Sequence, residues 1–164
     1  MSPPAALRVR RHGPRATLAW LMALAWIALI ALFSGEGFSA DATLQTLSSL
    51  LRWLFGERAP EFAYAVGFTL RKGAHVVEYA VLALLAHRAL RLTFDTAPGR
   101  TLAGALLLAL VVAVADESRQ AQSTLRTGSV GDVGIDLAAA ATALVAVTAW
   151  RRTARPSPAA GPSA

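Results

Sequence analysis

Four apolar runs, residues 17–33, 70–90, 101–115 and 130–150, take up most of the chain between Thr17 and Trp150. A bilayer-spanning helix needs roughly 17–25 mostly apolar residues. In hydrocarbon a backbone segment has no water to bond to, so a run of this kind can cross only as a helix that satisfies its own N–H and C=O groups. Composition agrees: of 164 residues, 55% are hydrophobic and 16% are charged, where ordinary soluble domains carry roughly 25% charge. The expected fold is all-α, an integral membrane four-helix bundle over residues 17–150. It is flanked by a basic tail (1–16) and by a Pro/Ala/Ser-rich tail (151–164) whose composition reads as disordered.

A secretory signal peptide is the competing reading of the first run, because arginines precede it. The run is longer than a usual signal core, and the segment from Gly35 to Ala40 is a weak cleavage match, so a retained first span is preferred. Residues 34–70 form the longest connection. Leu44, Leu47, Leu51 and Leu54 recur there at helical spacing among polar residues, which predicts an amphipathic outer helix between the first and second spans. Gly56 and Pro60 mark its end.

The net charge of +6 comes from arginines at the chain ends and between apolar runs, not from a basic face, so a nucleic-acid partner is excluded. With four crossings, the N-terminal tail, the 87–100 loop and the C-terminal tail share one side. The positive-inside rule makes that side cytoplasmic, in a bacterial inner membrane. Membrane lipids are then the first partners. The chain has no cysteine, so disulfides and thiol chemistry are excluded. No metal ligand set and no cofactor are assigned, and neither is an oligomeric state.

Ionisable residues inside apolar runs are costly, and by default they mark function. They concentrate from Arg71 to Tyr79. With Arg71 at zero and about 100° per residue, His75 falls near 40°, Glu78 near −20°, Tyr79 near 80° and Lys72 near 100°. All five fit within about a third of the helix circumference by that count. The third run stops at Asp116 and Glu117, with Gln120 one turn beyond Asp116. Arg126, Ser129, Asp132 and Asp136 follow. The topology brings these residues to one depth, at the outer end of the bundle. Asp132 and Asp136 are i,i+4, and like charges there repel, which calls for a cation, a proton or a metal between them. Below Asp136 a small-residue face of Ala139, Ala140 and Ala143 permits close helix approach.

Three readings of this constellation stay open. The preferred one is an outward-facing pocket for a ligand headgroup, lined by Arg71, Lys72, Tyr79, Asp116, Glu117, Gln120, Arg126, Ser129, Asp132 and Asp136. Cations would take a phosphate or carboxylate, and carboxylates would take cationic or hydroxylated groups or a divalent ion. The second is a self-satisfied salt-bridge network locking the helices. The third is catalytic, with His75 as acid/base and Glu78 orienting it. A proton- or ion-coupled transporter ranks below these, because no pair of broken helices supplies a second gate. His12 and His87 read as solvated or headgroup-facing. Trp20, Trp26, Trp53 and Trp150 read as interfacial anchors or lipid-facing filler.

Three pieces carry a family resemblance: Lys-x-x-His-x-x-Glu-Tyr (Lys72, His75, Glu78, Tyr79), Asp-Glu-x-x-Gln (Asp116, Glu117, Gln120) and Arg-x-x-Ser-x-x-Asp (Arg126, Ser129, Asp132). In this order and spacing, over about residues 20–150, the chain resembles the VanZ-like family of small polytopic bacterial membrane proteins. It departs from that family at Asp136, where an Asn commonly stands, and in having alanines where a glycine is usual further down that helix. The resemblance implies a namesake associated with teicoplanin-type glycopeptide resistance and no defined reaction. The expected ligand is an envelope amphiphile, either a lipid-linked cell-wall precursor or a glycopeptide-like antibiotic. A membrane enzyme acting on a lipid-linked substrate is the alternative.

Overall fold

The computed structural model describes residues 8–9, 13–35, 52–54, 56, 59–122 and 129–154. Four long helices account for most of them: α1 (Pro14–Phe33), α2 (Ala59–Thr93), α3 (Pro98–Ala121) and α4 (Val130–Thr153). Short strands β1 (Arg8–Val9) and β2 (Phe94–Asp95) pair antiparallel, which ties the N-terminal segment to the α2–α3 connection. Most of the expected amphipathic outer helix, together with Arg126 and His12, lies outside the described residues. Residues 52–54 of that stretch are helical, with Trp53 and Leu54 exposed.

The helices run further than their apolar cores. Pro14 and Pro98 sit in the first turns of α1 and α3. The N–H that proline lacks would have had no partner there, and its fixed φ suits the first turn. The same logic corrects the start of α2. That helix was expected from about residue 70, with Pro60 as a stop signal, but it begins at Ala59 with Pro60 as its second residue. Gly56, at φ 56°, takes the left-handed turn just before it. At 35 residues, α2 is about 52 Å long, roughly 20 Å more than a hydrocarbon core. The end of α3 is corrected too. Asp116 and Glu117 do not stop the helix, which continues through Gln120 to Ala121, because both carboxylates are buried beside partners on other elements.

Helix α2 packs against α1, α3 and α4, and α3 also packs against α4. Consecutive helices are antiparallel, so α2 and α4 run parallel. Trp20 near the start of α1 donates from Nε1 to Thr93 Oγ1 at the end of α2 (2.9 Å), and Trp26 Nε1 donates to the Glu78 carbonyl (2.9 Å). These two tryptophans therefore zip α1 to α2 and are not lipid-facing filler; an indole N–H in an apolar bundle needs an acceptor. Trp53 and Trp150 are exposed. His87 was expected to be solvated. It is buried, where α2 and α3 converge near the connection between them.

The burial pattern is that of a membrane protein. Leu18, Leu21, Leu24, Leu107, Val111 and Val145 lie exposed on the outer faces, while His75, Asp116, Glu117, Gln120 and Asp136 are buried. Among the described residues, three helices, α1, α3 and α4, are long and apolar enough to cross a bilayer. The interior is built largely from alanine. Ala105, Ala109 and Ala113 make a one-turn-spaced line on α3, facing Leu82, Ala83 and Ala86 of α2 and Ala140 of α4. Small side chains let helix backbones approach where lipid supplies no hydrophobic drive. On α4 the buried line is Asp136, Ala140 and Leu144. Ala139 and Ala143, expected on that face, instead line a groove beside Val76 and Ala80.

Candidate functional site

At the end of the bundle where α1 and α3 finish and α4 starts, the polar arc of α2 is shared out among three neighbours. Arg71 Nη2 donates to Gln120 Oε1 on α3 (2.6 Å). Lys72 pairs with Asp132 on α4. Between them, His75 and the fully buried Tyr79 stack with ring centroids 6.3 Å apart and planes inclined by 12°. Glu78, at the other edge of the arc, is half-buried and closes a groove between α1 and α2 lined by Trp26, Leu29, Phe33 and Leu70.

Asp116 is a hub. Its Oδ2 accepts from Ser34 Oγ at the end of α1 (2.6 Å) and from Gln120 Nε2 (2.8 Å), and its Oδ1 accepts from Arg119 (3.1 Å). Arg119 Nη2 also donates to the Ala31 carbonyl (2.8 Å). A continuous chain thus runs Arg71, Gln120, Asp116, Ser34, linking α2, α3 and α1. Hydrogen bonds to ionised groups are shorter and stronger than neutral ones, and in a medium without water they fix helix register.

On the α4 side, Glu117 Oε2 accepts from the Ser129 backbone N–H (2.7 Å). Ser129 is the N-cap of α4, and its Oγ accepts from the Gly131 N–H (3.1 Å). His75 Nδ1 lies 3.4 Å from Asp136 Oδ1, within ion-pair range but without hydrogen-bond geometry. Two sequence expectations change here. Asp132 and Asp136 do not share a counter-ion. Lys72 and His75, about one turn apart on α2, each face one of them, so the parallel register of α2 and α4 separates the like charges. Among the described residues, the carboxylate in ion-pair range of His75 is that of Asp136 and not Glu78, because Glu78 falls on the α1 edge of the arc.

Ser34, Trp26 and Trp20 belong to this architecture and are not singled out for it from sequence, whereas Arg119 counts there among the cations of the charge network. Ser34 had a signal: it is the first hydroxyl after an apolar run, at the end of the bundle where the carboxylates gather.

A family model described as VanZ/LLP1 matches residues 18–151, most of the chain. The chain belongs to the VanZ-like family. No curated protein and no solved structure matches it. It is a multi-pass membrane protein with apolar helices long enough to span. In this VanZ-like chain the described residues of all three motif pieces, Lys72, His75, Glu78 and Tyr79, then Asp116, Glu117 and Gln120, then Ser129 and Asp132, lie at one end of the helices. Each described cation there has an internal partner. Among the described residues, the buried side-chain atoms at this end without a hydrogen-bond partner are His75 Nδ1, Tyr79 Oη, Glu117 Oε1 and both Asp136 carboxylate oxygens.

Proposed function

We propose that this VanZ-like protein sits in the bacterial inner membrane with both termini cytoplasmic, and that its polar end, on the outer side, holds the headgroup of an amphiphile. The orientation rests on the arginines. Arg15, Arg88, Arg91, Arg100, Arg151 and Arg152 all belong to the ends and connections opposite the polar site. In this reading α2 crosses as a fourth span, since it packs along three apolar helices, antiparallel to α1 and α3 and parallel to α4.

The observation that carries the ligand reading is a groove of about 250 Å³ between α1 and α3. Its walls are apolar (Ile27, Ile30, Val111, Val112), and it ends on Asp116 and Arg119. An apolar trough with a charged end matches a molecule with a hydrocarbon tail and an anionic head. The Arg119 side chain is 49% exposed and spends Nη2 on Ala31 and Asp116, so guanidinium donors remain for a phosphate. A polyprenyl-phosphate-linked cell-wall precursor fits this chemistry.

The test is the lipid content of protein purified in mild detergent, measured by mass spectrometry. Polyprenyl-phosphate lipids should be enriched over bulk phospholipid, and Arg119→Glu should remove the enrichment while the protein stays folded. The same lipid profile in wild type and variant would refute the reading. Saturable binding of a lipophilic glycopeptide without lipid enrichment would replace the precursor with the antibiotic as occupant.

A further inference from the structure

Apart from the Tyr79 hydroxyl, the unpartnered groups at the α2–α3–α4 junction are potential metal donors. His75, Glu117 and Asp136 each offer one donor atom, and the three atoms lie within 4.8 Å of one another. The residues are 7%, 6% and 1% exposed. Two carboxylates removed from water need compensating charge, or their burial costs several kcal/mol apiece. Among the described residues, the nearby cations have other partners: Lys72 pairs with Asp132, Arg71 donates to Gln120, and Arg119 pairs with Asp116. A proton on His75 would answer only the contact to Asp136 Oδ1. It would leave Asp136 Oδ2 and Glu117 Oε1 bare.

We propose that His75, Glu117 and Asp136 are the protein ligands of a divalent transition-metal cation. One imidazole nitrogen and two carboxylate oxygens form a borderline-hard set suited to Zn²⁺ or Mn²⁺, and two negative charges balance the ion. Ligands about 2.0–2.1 Å from a tetrahedral ion stand roughly 3.4 Å apart. His75 Nδ1 and Asp136 Oδ1 are already 3.4 Å apart, and one Glu117 oxygen lies within 4.8 Å of a donor atom on each of the other two residues.

The surrounding groups are arranged as a supporting shell. The Ser129 N–H holds Glu117 Oε2 and leaves Oε1 for the ion, and Tyr79 stacks on the imidazole and sets its plane. Such outer contacts orient first ligands. Three protein ligands leave a fourth position for water or a ligand oxygen, the arrangement of open metal sites. The site joins α2, α3 and α4 and stands apart from the α1–α3 groove, so it holds whether or not an amphiphile binds.

The test uses full-length protein in detergent, purified on a tag without histidine and with no lipid added. Metal analysis should find close to one equivalent of a divalent transition metal per chain. After EDTA stripping, Zn²⁺ or Mn²⁺ alone should rebind at one site by calorimetry. His75→Gln and Asp136→Asn should each weaken that binding by at least about 100-fold, since loss of a mere supporting contact costs 10–100-fold. Binding of equal strength in both variants overturns the proposal, as does a wild-type protein that neither retains nor takes up metal. X-ray absorption of the zinc-loaded wild type needs no variant. A first shell of nitrogen and oxygen near 2.0–2.1 Å supports the site, and a shell containing phosphorus neighbours from detergent or lipid, or no ordered shell, refutes it.

Discussion

Gln120→Leu removes the side chain that couples three helices. Gln120 is 2% exposed. It accepts from Arg71 at 2.6 Å and donates to Asp116 at 2.8 Å. Both partners are ionisable, and a hydrogen bond to a charged group contributes about 1.5–3 kcal/mol. The backbone of α3 keeps its own hydrogen bonds, and leucine nearly preserves the volume, so packing loss is small. Arg71 is part-buried and partly recovers solvation, while Asp116 keeps Ser34 and Arg119. The expected net cost is therefore about 3 kcal/mol, the lower end of two such bonds. By the scaling of soluble domains of similar length, that lowers the midpoint of thermal unfolding by about 6–12 °C. Tryptophan fluorescence of the detergent-solubilised protein reports it, because Trp20 and Trp26 bridge α1 and α2. A double-mutant cycle with Arg71→Met isolates the α2–α3 link. The pair should be less than additive by more than about 1 kcal/mol, whereas independent sites add within roughly 0.5 kcal/mol. A single-variant shift under about 2 °C, or strict additivity, would refute the coupling.

The Lys72–Asp132 pair is partly exposed, at 26% and 14%, so reversing either charge should cost about 2 kcal/mol, between the values for surface and buried pairs. The double swap Lys72→Asp with Asp132→Lys should recover most of it by the same thermal assay. Ala109→Leu places a large side chain in the alanine-lined seam and should cost about 1–3 kcal/mol. Val111→Leu, on the exposed face of the same helix, should stay within about 0.5 kcal/mol. The chain has no cysteine, so single-cysteine labelling tests orientation without background. Gln122→Cys should react with an impermeant maleimide in intact spheroplasts, and Arg152→Cys only after permeabilisation; the reverse pattern inverts the topology.

Apolar runs and helical period carry far into this structure, and fail at identifiable points. The polar arc of α2 is legible from Arg71 to Tyr79 because side-chain direction follows from a 3.6-residue turn alone. Its order around the helix, Glu78, Arg71, His75, Tyr79, Lys72, is the order in which the groups meet α1, α3, the buried centre and α4. Which residue each group meets depends on the register between helices. No intrahelical spacing supplies that: the i,i+3 pair His75 and Glu78 is visible in the sequence, and the approach of His75 to Asp136 is not. Helix ends fail for a related reason. Asp116 and Glu117 read as a stop because carboxylates in hydrocarbon are costly, yet the cost falls once Ser34, Gln120 and Ser129 supply donors from three directions. Pro60 reads as a breaker or as a first-turn residue, and only the course of α2 decides between them.

The fan of groups on α2 also separates two chemistries that the sequence presents as one cluster. On the α1 side, Asp116 is saturated by Ser34, Gln120 and Arg119, and the exposed remainder is guanidinium at the end of an apolar groove. That edge is cationic in what it still offers and open to the bilayer. On the α4 side, Lys72 is taken by Asp132, and the remainder is an imidazole nitrogen with carboxylate oxygens, enclosed by three helices. That centre is anionic in what it still offers and closed to lipid. A single occupant would have to satisfy opposite demands across the width of α2, whereas an anionic headgroup on one side and a cation on the other satisfy both. The two sites are therefore separable by mutation: Arg119→Glu should change lipid content and leave metal stoichiometry alone, and His75→Gln should do the converse. Joint loss of both in either variant, with the fold retained, would mean that the two edges form one site.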